Sequence, residues 1–196
     1  QLGALEDASF ETGYSADVNF NVSDDAAAIA AVLNGDRSAL DGAEDVIVDG
    51  GDTTVQGAAD IQSLSSGIYD ASSSSYTISD TAGAILGDTG TVIDEDVSTI
   101  NVNGSVGAGV GVQLGALEDA SFETGYSADV NFNVSDDAAA IAQALVANGN
   151  SSLNNAEDVA VNGGVVSVDS AADIQLVSAY DASGSSYTIE DSSSVI

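Results

Sequence analysis

The sequence predicts an α/β repeat protein, an elongated solenoid of short strands and short helices with units of about 56 residues nested in a 112-residue repeat. An exact internal copy, a shorter period inside it and the patterning of apolar residues carry that expectation. Residues 1–30, QLGALEDASFETGYSADVNFNVSDDAAAIA, recur without a change at 113–142. The likeness runs on: AEDVIVDGG (43–51) answers AEDVAVNGG (156–164), AADIQ stands at 58–62 and 171–175, and YTISD (76–80) answers YTIED (187–191). The long repeats are then 1–112, with units near 14–68 and 69–125, and a truncated 113–196, with units near 126–179 and 180–196.

The shorter period rests on an aromatic-x-aliphatic-x-Asp signature. It occurs at Phe20–Asp24, Tyr76–Asp80, Phe132–Asp136 and Tyr187–Asp191, so the aspartates step by 56, 56 and 55 residues. Tyr14, Tyr69, Tyr126 and Tyr180 keep the same beat, and Phe10 and Phe122 are the remaining rings. The rings that open strands are expected to bury as an internal ladder, each covering on the order of 150–250 Å².

Within a unit the elements follow in order. Val18 to Val22 alternates with period two, as a half-buried strand does. Asp24 stands where an N-cap belongs, and AAAIAAVL continues with helical composition. Val46-Ile47-Val48 reads as a brief strand, Gly50-Gly51 as a turn, and Thr53 to Val55 as a return or onward strand. Gly57 to Leu64 reads as a second short helix, and Tyr76 to Ile78 opens the next unit. NGSVGAGVGV (103–112) allows a bulged strand or a loop. Elements this short bury their apolar edges only against copies of themselves, which is why a solenoid is expected. Compact modules of about 112 residues joined end to end are the alternative.

Composition narrows the function. One basic residue, Arg37, faces 32 Asp and Glu, for a net charge of −31. Such a chain repels phosphate and anionic lipid, so neither nucleic acid nor membrane insertion is expected. With 44% of residues hydrophobic and patterned, it folds despite its charge. There is no Cys and hence no disulfide or thiolate site. Without His, Cys or Lys, a Ser nucleophile has no conventional base. Carboxylate pairs exist, but they are copied from unit to unit, whereas an active site is a single constellation. No catalytic activity is expected.

YTISDTAGAIL (76–86), its partner FNVSDDAAAIA (132–142) and the acidic, Cys-free composition resemble the tandem repeats of giant secreted bacterial surface proteins, of the adhesin and extracellular-fibre class. GGDTTV (50–55) is a partial echo of the calcium nonapeptide of repeats-in-toxin proteins, whose full pattern is absent. The resemblance implies an extracellular or cell-surface location, a dedicated export route, further repeats beyond this segment and a mechanical or adhesive role. The end at Ile196, in phase with Ile85, points the same way, to a slice of a longer array.

Calcium is the one cofactor for which hard oxygen ligands are plentiful. The candidates are Asp24, Asp25, Asp49, Asp52, Asp94, Asp96, Asp136 and Asp137, with Asp45 and Glu95 beside them. The copy of Asp49-Gly-Gly-Asp52 at 162–165 reads NGGV and has lost both carboxylates. For Asp24, Asp80, Asp136 and Asp191 the competing reading is helix capping, and for the rest a solvated acidic face. Three functions follow: a surface filament that associates with itself end to end or laterally, a calcium-rigidified adhesin stalk, or an acidic module that binds a surface glycan or a mineral. Identical blocks favour the first two, because length needs repetition and specificity does not.

Overall fold

The computed structural model describes residues 19–65, 67–88, 92–93, 96–119 and 128–191. They form an α/β protein in which strands and helices alternate along the chain. The strands are β1 (Phe20–Asp24), β2 (Ala43–Thr53), β3 (Ser75–Asp80), β4 (Val97–Val106), β5 (Asp129–Asp136), β6 (Asp158–Val166) and β7 (Ser186–Ile189). The helices are α1 (Ala26–Gly35), α2 (Val55–Gln62), α3 (Ala82–Gly87), α4 (Ala108–Asp119), α5 (Ala138–Asn148) and α6 (Val168–Gln175). Strand neighbours follow chain order from β1 to β7. Pairs β1–β2, β2–β3, β5–β6 and β6–β7 are parallel. A parallel neighbour requires a crossover of a dozen or more residues, and a helix forms part of each one here.

The chain divides into two compact units, residues 1–80 with 88–99 and residues 81–87 with 100–196. In the first, Ile29, Val46, Val48, Ala58, Ile61 and Ile78 are buried to within 2%. In the second, Leu114, Phe132, Ile141, Val159, Val161 and Ile174 are buried as completely. Strand alternation places these side chains: in β5, Val130, Phe132 and Val134 turn inward and the residues between them do not.

Register reveals a shorter structural step than the sequence period. Val22 pairs with Val46, 24 positions on, and Val134 with Val159, 25 positions on. Each 56-residue unit of sequence therefore holds two strand–helix coils, not one. The aromatic ladder is corrected accordingly. Phe20, Tyr76, Phe132 and Tyr187 fall on β1, β3, β5 and β7, and an intervening strand separates each from the next. Tyr76 and Phe132 are each 1% exposed, while Phe20 and Tyr187, on the edge strands, are half-buried. Tyr14, Tyr126, Phe10 and Phe122 lie outside the described residues.

Two local expectations also change. Gly50-Gly51 is not a turn but part of β2, and Gly163-Gly164 is likewise part of β6. All four have φ between 80° and 90°, and the register slips beside them, between Asp49 and Asp52 and between Asn162 and Val165. These left-handed glycines bend the strand without reversing it. Gly51 also admits no side chain, since a Cβ there would lie 2.8 Å from that of Asp25. The second change is at 103–112, which ends β4 and starts α4. Glycine disfavours a helix by about 1 kcal/mol relative to alanine, yet α4 contains three, and packing explains two. A Cβ on Gly111 would stand 2.6 Å from Val134 Cγ2, and one on Gly115 2.9 Å from the Ser152 carbonyl oxygen.

Candidate functional site

The acidic residues singled out by the sequence gather where strands hand over to helices. At α1 and α5 the N-cap is the second aspartate of each pair. Asp25 Oδ1 accepts the amide of Ala28 at 2.9 Å. Asp137 Oδ1 accepts those of Ala139 and Ala140, each at 2.9 Å. Capping by Asp24 and Asp136 was thus expected one residue too early. Thr54, Thr81 and Ser167 take the same role at α2, α3 and α6. Each cap contributes about 1 kcal/mol.

The preceding aspartates join one coil to another. Asp24, Asp80 and Asp136 end β1, β3 and β5, and Asp191 lies just beyond β7. Asp80 Oδ2 accepts the amide of Val55 at 3.1 Å, Asp136 Oδ2 that of Ala108 at 2.9 Å, and Asp191 Oδ2 that of Val168 at 3.3 Å. Val55, Ala108 and Val168 are the first residues of α2, α4 and α6, each in the preceding coil. Helix starts leave such amides without an intrahelical acceptor and carry partial positive charge, so a carboxylate there satisfies both demands. Asp24 and Asp136 also accept the next amide through Oδ1, each at 2.9 Å.

The remaining candidates scatter. Asp45, Asp49 and Asp52 lie along β2, and Asp52 Oδ2 accepts the Ser79 hydroxyl at 3.2 Å. Asp94 and Glu95 lie outside the described residues. Asp96 is 2% exposed and accepts the Tyr69 hydroxyl at 2.6 Å. Burial, then this bond, pushes the Tyr69 phenol above its ordinary pKa. Among the described residues no three acidic side chains gather as a metal would require. Both oxygens of Asp136 and one of Asp137 already hold amides. These residues do not fit a calcium cage of six to eight converging oxygens.

One repeated device escaped the sequence reading. In YDASSSSY (69–76) and YDASGSSY (180–187) the aspartate folds back on its own serines. Asp70 Oδ1 accepts Ser72 Oγ at 2.7 Å, and Asp181 Oδ1 accepts Ser183 Oγ at 2.7 Å and its amide at 2.8 Å. Bonds from Ser73 and Ser72, and from Ser183, hold the two carboxyls below their ordinary pKa. Ser74 and Ser185 then accept the amides of Val48 and Val161, fastening each loop to the preceding strand. The Asp-x-Ser spacing was the available signal. Gln62 and Gln175, both from AADIQ, donate to the hydroxyls of Tyr76 and Tyr187 at 2.9 and 3.0 Å.

Concave surface is repeated too. A groove of about 380 Å³ runs over Ala27, Ala30, Thr54 and Gly57, between α1 and α2. Its counterpart of about 490 Å³ lies over Ala139, Ala142, Ser167 and Ser170, between α5 and α6. A third groove, of about 470 Å³, lies on β1 over Phe20, Val22, Ala39 and Leu40.

The described residues thus define an α/β protein of parallel strand–helix coils whose polar groups serve mainly to fasten coil to coil. No protein-family model matches the chain, nor does any curated protein or solved structure. Among the described residues, no helix is long and apolar enough to cross a membrane.

Proposed function

We propose that this chain is a structural repeat of an extracellular surface filament or fibre, a solenoid whose coils stack and whose ends associate head to tail. The observation that carries this reading is the set of cross-coil bonds from Asp80, Asp136 and Asp191 to Val55, Ala108 and Val168, set 56 and 55 residues apart. A chain whose repeated polar bonds join neighbour to neighbour is organised for extension, since stability in such arrays is close to a sum of nearest-neighbour terms. Edge strands β1 and β7 differ in sequence, so contact between them is heterologous and leads to open filaments. The grooves come as copies, which favours a structural role over an enzymatic one. Calcium enters as a counter-ion for the acidic surface, with no cage assigned to it.

The test is the 196-residue chain at micromolar concentration, with calcium, followed by light scattering and electron microscopy. Filaments that lengthen with concentration are expected. A stable monomer under those conditions overturns self-assembly.

A further inference from the structure

Residues 1–30 and 113–142 are identical, so β1 and β5 share one sequence. Among the described residues, β5 carries a helix that β1 lacks. Helix α4 approaches β5 through glycine. A Cβ on Gly111 would stand 2.6 Å from Val134 Cγ2, 3.2 Å from Leu153 Cδ2 and 3.6 Å from Phe132 Cε2. One on Gly115 would stand 2.9 Å from the Ser152 carbonyl oxygen and 3.8 Å from Phe132 Cζ. The first amide of α4, on Ala108, donates to Asp136 Oδ2 at 2.9 Å.

The matching positions in the first unit are Phe20, Val22, Ala39 and Leu40, and all four line the open groove of about 470 Å³ on β1. The polar anchor matches as well. Asp24 Oδ1 accepts the amide of Asp25 at 2.9 Å, just as Asp136 Oδ1 accepts that of Asp137. Among the described residues, Asp24 Oδ2 has no counterpart of the Ala108 amide. The groove therefore presents the apolar floor and the carboxylate that seat α4, without a helix on it.

We propose that this groove is a docking site for a helix with glycine at every fourth position, the chemistry of Gly107, Gly111 and Gly115, its first amide held by Asp24. A side chain at those positions would collide with Val22, Leu40 and the backbone of Ala39, as it would with their counterparts under α4. The inference rests on the reading of the chain as a stacked repeat and names what the β1 edge accepts.

The test titrates a blocked peptide of residues 106–119 into the full chain, labelled for amide NMR, while light scattering follows self-association. Shifts at Val22, Asp24 and Leu40 are expected. A Gly111→Val peptide should bind about tenfold more weakly, and so should the parent peptide to an Asp24→Asn chain. Equal binding of the Gly111→Val peptide, shifts confined to β5, or no binding overturns the docking site. Peptide binding at β1 by a chain that never self-associates sustains the site and overturns the filament. Filaments formed by a chain that takes no peptide at β1 overturn the site and assign the contact to the strand edge.

Discussion

At the scale of single residues, the aspartates divide by which amide they serve. Asp25 and Asp137 serve their own helix, while Asp80, Asp136 and Asp191 serve the helix before. Asp70 and Asp181 serve their own loops, and their depressed pKa values give a test with a definite sign. A carboxyl whose folded pKa lies below its unfolded value stabilises the fold above the unfolded value. That contribution is lost as pH falls through the folded one. The ordinary value is 3.8, so the loss belongs to the range below about 3.8. An Asp70→Asn, Asp181→Asn variant should melt below the wild type at neutral pH. The gap should close as pH drops through that range. Relief of general repulsion on acidification is common to both proteins and cancels in the comparison. A gap independent of pH would show that the serine bonds do not favour the charged carboxylate.

At the scale of elements, α4 is the informative case, because its composition argues against the structure it adopts. Glycine to alanine on an exposed helix usually stabilises by about 0.4–1 kcal/mol. Gly109 has no heavy atom within 4 Å of a built Cβ, so Gly109→Ala should follow that rule. Gly115 faces the carbonyl oxygen of Ser152, backbone that cannot swing aside as a side chain can. Gly115→Ala should therefore destabilise, by about 1–3 kcal/mol, in urea unfolding. Opposite signs for two glycines six residues apart would locate the helix contact; the same sign for both would contradict it. Pairing of the strands explains why Gly50-Gly51 and Gly163-Gly164 were misread as turns. A doublet of this kind is a hairpin signal, but β2 and β6 pair in parallel, so the chain bends there and continues.

At the scale of the whole molecule, charge dominates. A net charge of −31 on 196 residues, with one compensating cation, creates self-repulsion that salt relieves. Arg37, that one cation, holds the Ser63 carbonyl at 2.8 Å, just past the end of α2. Screening acts over about 10 Å at 0.1 M salt. The melting temperature should rise with sodium chloride. Because the described carboxylates form no cage, calcium and magnesium at matched ionic strength should raise it by similar amounts. A rise specific to millimolar calcium would reveal a bound ion and revive the stalk reading, in which calcium stiffens the array.

Read by itself, the chain determined its class, its long repeat and the places where strand gives way to helix. Those follow from alternation, helical composition and small polar residues, all local in sequence. Asp24, Asp80, Asp136 and Asp191 were legible as junction residues for that reason. Which amide each one bonds was not, because the partner lies 23 to 28 residues away and only register brings it near. Tertiary structure also decided that a 56-residue unit is two coils, since alternate coils carry different residues and only the first and third look alike. It decided as well that a glycine-rich run becomes α4, where closeness to Val134 and Ser152 outweighs helix propensity. Local pattern chose the elements, and contact between coils chose what their side chains do.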